Sequence, residues 1–208
     1  VIEERLSIYR DAIQFIHDYA IRGANAGKTP DELVEEFEYP PFFLESYDLE
    51  EKYGKVSWSI RNVYNGYLGF FDGRAVNLEP LSKKKRARHI FELIGSKEQL
   101  IEQINKANNS SNYQWAAELS DIGLLNFPND KDIKNLYSES LENLSQIEKN
   151  PIARNYYLSE AYELSGKITP SLEYSISAEQ AKYIPLCTFF DAMGPWLDPI
   201  IAQGKLIN

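Results

Sequence analysis

The chain holds one cysteine and two histidines in 208 residues. A lone Cys187 excludes an internal disulfide framework. It sits in the apolar run from Ile184 to Phe190 and reads as a small core residue rather than a nucleophile. His17 and His89 are far apart, and there is no His-x-His, His-x-x-x-His or Cys-x-x-Cys pairing. A dinuclear hydrolytic metal centre needs about four to six clustered donors, so no metal is expected in this chain. No Asp-rich loop offers calcium an alternative. Basic charge is also scarce: 22 Lys and Arg against 31 Asp and Glu give a net charge of -9. That excludes the usual footprint of a nucleic-acid binder. No apolar run approaches the ~20 residues of a membrane span. The opening residues do not resemble a signal peptide, and no period-two alternation announces a strand. A Gly-x-Ser-x-Gly elbow and a phosphate-cradling glycine loop are absent too.

What the sequence has is aromatics and helical periodicity. Its 14 Tyr, 10 Phe and 3 Trp favour half-buried clefts and interfaces. From Ile2 to Ala24 the residues Leu6, Tyr9, Ile13 and Ile16 recur at three- and four-residue steps, a stripe that wants a partner helix. Thr29 and Pro30 open a second helix, which Pro40-Pro41 stops. Phe42 to Gly54 reads as a loop with a helical turn, and Val56 to Phe71 as a helix. Gly66 and Gly69 inside it predict close backbone packing or a bend. Further helices are expected over Lys83–Ile94, Lys97–Ala107, Tyr113–Leu125, Lys131–Ile147 and Pro151–Leu164. Asn150 is the expected N-cap of the last. The basic run Lys83-Lys84-Lys85-Arg86 with Arg88 reads as a solvated helix face. Gly166 to Ser177 is a polar linker, and a last helix runs from Ala178 to about Met193. The fold class is therefore all-α. Tyr113-Gln114-Trp115-Ala116-Ala117-Glu118-Leu119 resembles a tetratricopeptide-type hairpin, but only about one unit is visible where an array needs roughly three. Both ends read as cuts, with Lys205 to Asn208 as the possible start of a strand.

Three blocks carry a family signature. The first is Tyr9-Arg10-Asp11-Ala12-Ile13-Gln14-Phe15-Ile16-His17-Asp18, with Arg22-Gly23 and Gly27. The second runs from Tyr53-Gly54-Lys55-Val56-Ser57-Trp58 through Asn65-Gly66-Tyr67-Leu68-Gly69-Phe70-Phe71-Asp72-Gly73. The third joins Tyr113 to Leu119 with Ala153-Arg154-Asn155-Tyr156-Tyr157-Leu158. Their order and spacing resemble the dimerisation region of the metallo-β-lactamase-fold alkylsulfatases, which hydrolyse dodecyl sulfate and related esters. The tail from Ala181 is similar to the opening helix of that family's sterol-carrier-like C-terminal domain.

The resemblance implies a division into residues 1–166 (dimerisation domain), 167–177 (linker) and 178–208 (first helix of the C-terminal domain). It implies a homodimer, a preceding catalytic domain with two zinc ions, an alkyl sulfate substrate, and no activity from this region alone. Leu6, Tyr9, Ile13 and Ile16 are the expected dimer interface. A tyrosine of this region is expected to reach the sulfate group: Tyr67 first, Tyr64 second, since a phenol can donate a hydrogen bond to a sulfate oxygen. Phe70 stands where the family commonly has Trp. Arg10 and Arg61 could clamp sulfate, but helix-to-helix ion pairs account for them equally well. The competing reading is a free-standing tetratricopeptide-like adaptor that binds a protein or peptide.

Overall fold

Helix starts in this chain are set by short polar side chains. The Thr29 hydroxyl accepts the Glu32 amide, while the Glu32 carboxylate accepts the Thr29 amide at 2.8 Å, a reciprocal cap with Pro30 behind it. Ser82, Ser96, Asp130 and Asn150 each accept backbone amides at the start of a later helix. The computed structural model describes residues 2–169 and 177–194. The chain divides into two compact units, 1–169 and 170–208. Among the described residues there are helices and turns and no strand, so the fold is all-α.

The first unit has two parts. In the first, α1 (Ile2–Asn25) packs on α2 (Pro30–Glu35) and on α4 (Val56–Leu68). Ile16, Ala20, Leu33, Ile60 and Tyr64 form its core. The short α3 (Pro41–Leu44) and a 3-10 turn at Tyr47–Leu49 fill the segment read as a loop with a helical turn. Phe15, Phe37, Tyr39 and Phe43 make an aromatic box with ring centroids 5.0 to 6.4 Å apart.

The approach of α1 to α2 depends on Gly23. A Cβ there would lie 2.1 Å from Leu33 Cδ2, and Leu33 is buried. Gly23→Ala should therefore overpack by about 1–3 kcal/mol, only partly offset by about 1 kcal/mol of helix propensity. Urea unfolding is expected to show a net loss; a stabilised variant would mean that Leu33 can leave without cost.

The second part stacks α5 (Lys83–Ile94), α6 (Lys97–Asn109), α7 (Tyr113–Asn126), α8 (Lys131–Ile147) and α9 (Pro151–Leu164). Here α7 packs on α5, α6 and α8, and α8 on α9. Leu100, Ile104, Ala116, Leu119 and Ile133 form one core cluster, and Ala117, Leu141, Leu144 and Ala161 another. Gly95, at φ +104°, makes the turn between α5 and α6.

Several expectations need correction. The helix expected over Val56–Phe71 stops at Leu68. Gly69 takes φ +72° and gives its amide to Asn65 O at 2.8 Å, a helix-ending conformation that suits glycine. Gly66 marks no close packing either, because a Cβ there would meet nothing within 4 Å. In the second unit the single helix expected from Ala178 to Met193 is two: α10 (Ala178–Ala181) and α11 (Leu186–Met193). Pro185 separates them, since it lacks an amide proton and disfavours the helical region for Ile184. Cys187 is exposed on α11 rather than a core residue. Residues 170–176 of the expected linker and the expected strand start at Lys205–Asn208 lie outside the described residues.

Candidate functional site

Helix α1 carries one apolar stripe that is packed along its C-terminal half and exposed along its N-terminal half. Ala12, Ile16 and Ala20 are buried in the chain's own core, whereas Ile2, Leu6, Tyr9 and Ile13 are 51–76% exposed. With a rise of 1.5 Å per residue, that outward stripe is roughly 17 Å long. Of the four residues expected at a dimer interface, Leu6, Tyr9 and Ile13 are thus free at the surface. Ile16 packs among Leu33, Ile60 and Tyr64 and already has its partners within the chain. Arg5, one turn into the stripe, forms an ion pair with Asp48. Tyr9 and Ile13 also line a shallow cavity of about 330 Å³ closed by Tyr47, Tyr53 and Val56.

The second exposed feature is the end of α4, where Asn65 through Phe70 all face solvent. Tyr67 is 65% exposed, and Leu68 and Phe70 beside it are 51% and 81% exposed. Such clustering of large apolar side chains marks a surface that other groups can cover. The two tyrosines singled out in the sequence part company here. Tyr64 is 4% exposed within the α1–α2–α4 core. Burial, then the nearby Asp72 and Glu32 carboxylates, push its phenol above the ordinary tyrosine range.

The Tyr67 hydroxyl instead lies 2.9 Å from His17 Nε2, with the rings edge-on at 5.5 Å. His17 Nδ1 is 3.0 Å from Asp18 Oδ1, which also accepts Gln14 Nε2 at 2.7 Å. Those hydrogen bonds, first from His17 and then from Gln14, hold the Asp18 carboxyl below its usual range. Nothing in the sequence joins His17 to a tyrosine fifty positions away; only the packing of α1 on α4 does.

The remaining candidates have local partners. Arg61 reaches Asp31 at 2.6 Å and Arg10 reaches Asp11 at 2.8 Å. His89 lies 3.0 Å from Glu92 on the exposed face of α5. Among the described residues no group of three or more His, Cys, Asp or Glu side chains could hold a metal ion. Among the described residues no helix is long and apolar enough to cross a membrane.

All-α packing that leaves the α1 stripe and the Tyr67 surface uncovered describes a helical domain with apolar surface for other groups to cover. The chain belongs to the alkyl sulfatase dimerisation family, whose model matches residues 29–167. It is 36% identical over 209 residues to a linear primary-alkylsulfatase from a Pseudomonas species, covering 95% of this chain and 39% of that protein. It is 29% identical to an (R)-specific secondary-alkylsulfatase, also from Pseudomonas, over 96% of this chain and 30% of the relative. A 27% identical alkyl/aryl-sulfatase of Saccharomyces cerevisiae is matched over 99% of this chain and 32% of its own length. The chain thus spans about a third of the curated relatives it matches. A solved inverting sec-alkylsulfatase from Pseudomonas superposes with a TM-score of 0.88 at 28% identity, over 96% of this chain and 31% of that one.

Proposed function

We propose that this region pairs two copies of an alkyl sulfate ester hydrolase and lends Tyr67 to its sulfate-binding pocket. Family membership and the names of the relatives support the substrate class. Catalysis would belong to a metallo-β-lactamase-fold domain holding two zinc ions, so this region by itself would be inactive. Tyr67 is preferred over Tyr64 because it is exposed, where a sulfate oxygen held by another domain could meet it, whereas Tyr64 is buried. Leu68 and Phe70 beside it would lie against the alkyl chain. The observation that carries the pairing reading is the exposed stripe of Ile2, Leu6, Tyr9 and Ile13 on the N-terminal half of a helix whose C-terminal half is already packed.

Sedimentation velocity on this chain, with zinc measured on the same sample, tests the reading. A dimer without stoichiometric zinc is expected. Burying a Leu or Ile side chain contributes about 1.5–3 kcal/mol. Leu6→Glu with Ile13→Glu should therefore weaken pairing by roughly two to four decades in dissociation constant. Both residues are exposed in the single chain, so circular dichroism should stay unchanged. A dimer retained by the double variant removes α1 from the interface, and bound zinc places a metal site here after all.

A further inference from the structure

Tyr67 has one proton to give, and the structure already surrounds its oxygen with a partner. His17 Nε2 stands 2.9 Å away, and the far side of the ring is tied to Asp18 Oδ1 at 3.0 Å. An ionised carboxylate only accepts hydrogen bonds. Asp18, which also accepts from Gln14, therefore places a proton on His17 Nδ1. Two states remain. In the neutral imidazole Nε2 is bare and accepts the Tyr67 proton, so an arriving anion would face phenol lone pairs. In the imidazolium Nε2–H donates to the Tyr67 oxygen, and the phenol proton is free to turn outward toward an anion. The second state also sets a positive charge one ring behind the phenol, where it strengthens donation to a negative oxygen.

We infer that His17, held by Asp18, is the positioning residue of Tyr67: its protonated ring frees the Tyr67 hydroxyl to donate to the sulfate group of the substrate. The inference rests on the reading that Tyr67 meets that sulfate. The surroundings leave room for it, since a Cβ on neighbouring Gly66 would meet nothing within 4 Å and Asn65 to Phe70 are exposed. The imidazole touches Asp18 of α1 and Tyr67 of α4, and Arg22 acts on the Asp18 carboxylate. Substrate engagement through Tyr67 therefore depends on the His17 ring standing behind the phenol and being held there by Asp18.

The experiment is steady-state kinetics of the full-length protein on a linear primary alkyl sulfate, across pH, with melting temperatures measured on every variant. Tyr67→Phe should lower kcat/KM by about 10²–10³, the usual effect of losing one oxyanion donor. His17→Phe should cost at least tenfold in the wild-type background and almost nothing further in Tyr67→Phe. In His17→Gln the amide donates at every pH, so the ratio of wild-type to variant kcat/KM should fall as pH rises. Asp18→Asn, which removes the carboxylate that fixes the ring, should lower kcat/KM in the wild-type background and add almost nothing in Tyr67→Phe. If Tyr67→Phe is impaired while His17→Phe is normal, or the two losses multiply independently, the role given to His17 is overturned and the sulfate contact stands. If Tyr67→Phe is fully active, both the contact and the inference fall. A wild-type protein that turns over no alkyl sulfate overturns the proposed function and this inference with it.

Discussion

Replacing Asn150 by aspartate is expected to destabilise the protein by about 1–3 kcal/mol, although aspartate is as good an N-cap as asparagine. Asn150 is 1% exposed and performs two tasks with one amide group. Its Oδ1 accepts the Ile152 and Ala153 amides at 3.0 Å, capping α9. Its Nδ2 donates to Glu51 O at 2.9 Å and Gly54 O at 3.1 Å, nearly a hundred residues earlier. The strongly packed helix pairs lie within the α1–α4 part or within the α5–α9 part, not across them. The link between the parts therefore leans on this amide and on the neighbouring Lys55–Glu148 ion pair at 2.8 Å. Burial pushes the Glu148 carboxyl up, but Lys55 and the Asn150 amide outweigh it and hold it below the usual range. Aspartate keeps the cap and turns a carboxylate oxygen toward two carbonyls. Alanine loses the cap, worth about 1 kcal/mol, as well as both donations at about 0.5–1.5 kcal/mol each, roughly 2–4 kcal/mol in all. Chemical denaturation of the three proteins decides the matter. An aspartate variant as stable as wild type would reduce Asn150 to a cap.

The same residue shows how far the sequence could be read. Asn150 before Pro151 announces a helix start, because capping is a local hydrogen bond between neighbours in the chain. Its grip on Glu51 and Gly54 is invisible there, because no local pattern encodes a contact across 96 to 99 positions. Thr29 was legible for the same local reason, whereas the helices after Ser82, Ser96 and Asp130 were expected from periodicity and their caps emerge only from the structure. The misreadings have physical causes as well. Gly66 looked like a packing contact but is open, since spacing cannot tell a glycine that admits a neighbour from one with none. Ile16 shares its heptad rhythm with Leu6, Tyr9 and Ile13, yet it lies where Leu33 of α2 and Ile60 and Tyr64 of α4 cover the stripe, which no local pattern reveals. The family resemblance singled out Tyr67, whereas the His17–Tyr67 contact exists only once α1 crosses α4.

In the second part of the molecule, Ile133→Ala is expected to cost about 2–5 kcal/mol, and Gly123→Ala should recover part of that loss rather than add to it. Ile133 is wholly buried between α6, α7 and α8. Gly123, on α7, lets α8 come close: a Cβ there would sit 2.9 Å from Ile133 Cγ2 and 3.2 Å from Leu100 Cδ2. Alone, Gly123→Ala drives a methyl into Ile133 and should lose about 1–3 kcal/mol, less about 1 kcal/mol of helix propensity. With Ile133 shortened to Ala the Cγ2 atom is gone, and the new methyl enters the cavity it vacated. The two changes share one space, so a coupling of about 0.5–3 kcal/mol in favour of the double variant is expected from urea unfolding of all four proteins. Additive losses would show that α7 and α8 relax apart instead of meeting at these atoms. The outward stripe of α1 and the Tyr67 surface belong to the α1–α4 part, away from this cluster. Variants at Gly123 and Ile133 should therefore associate like wild type wherever they remain folded, and a loss of pairing at full helicity would mean that α7 or α8 contributes to the interface.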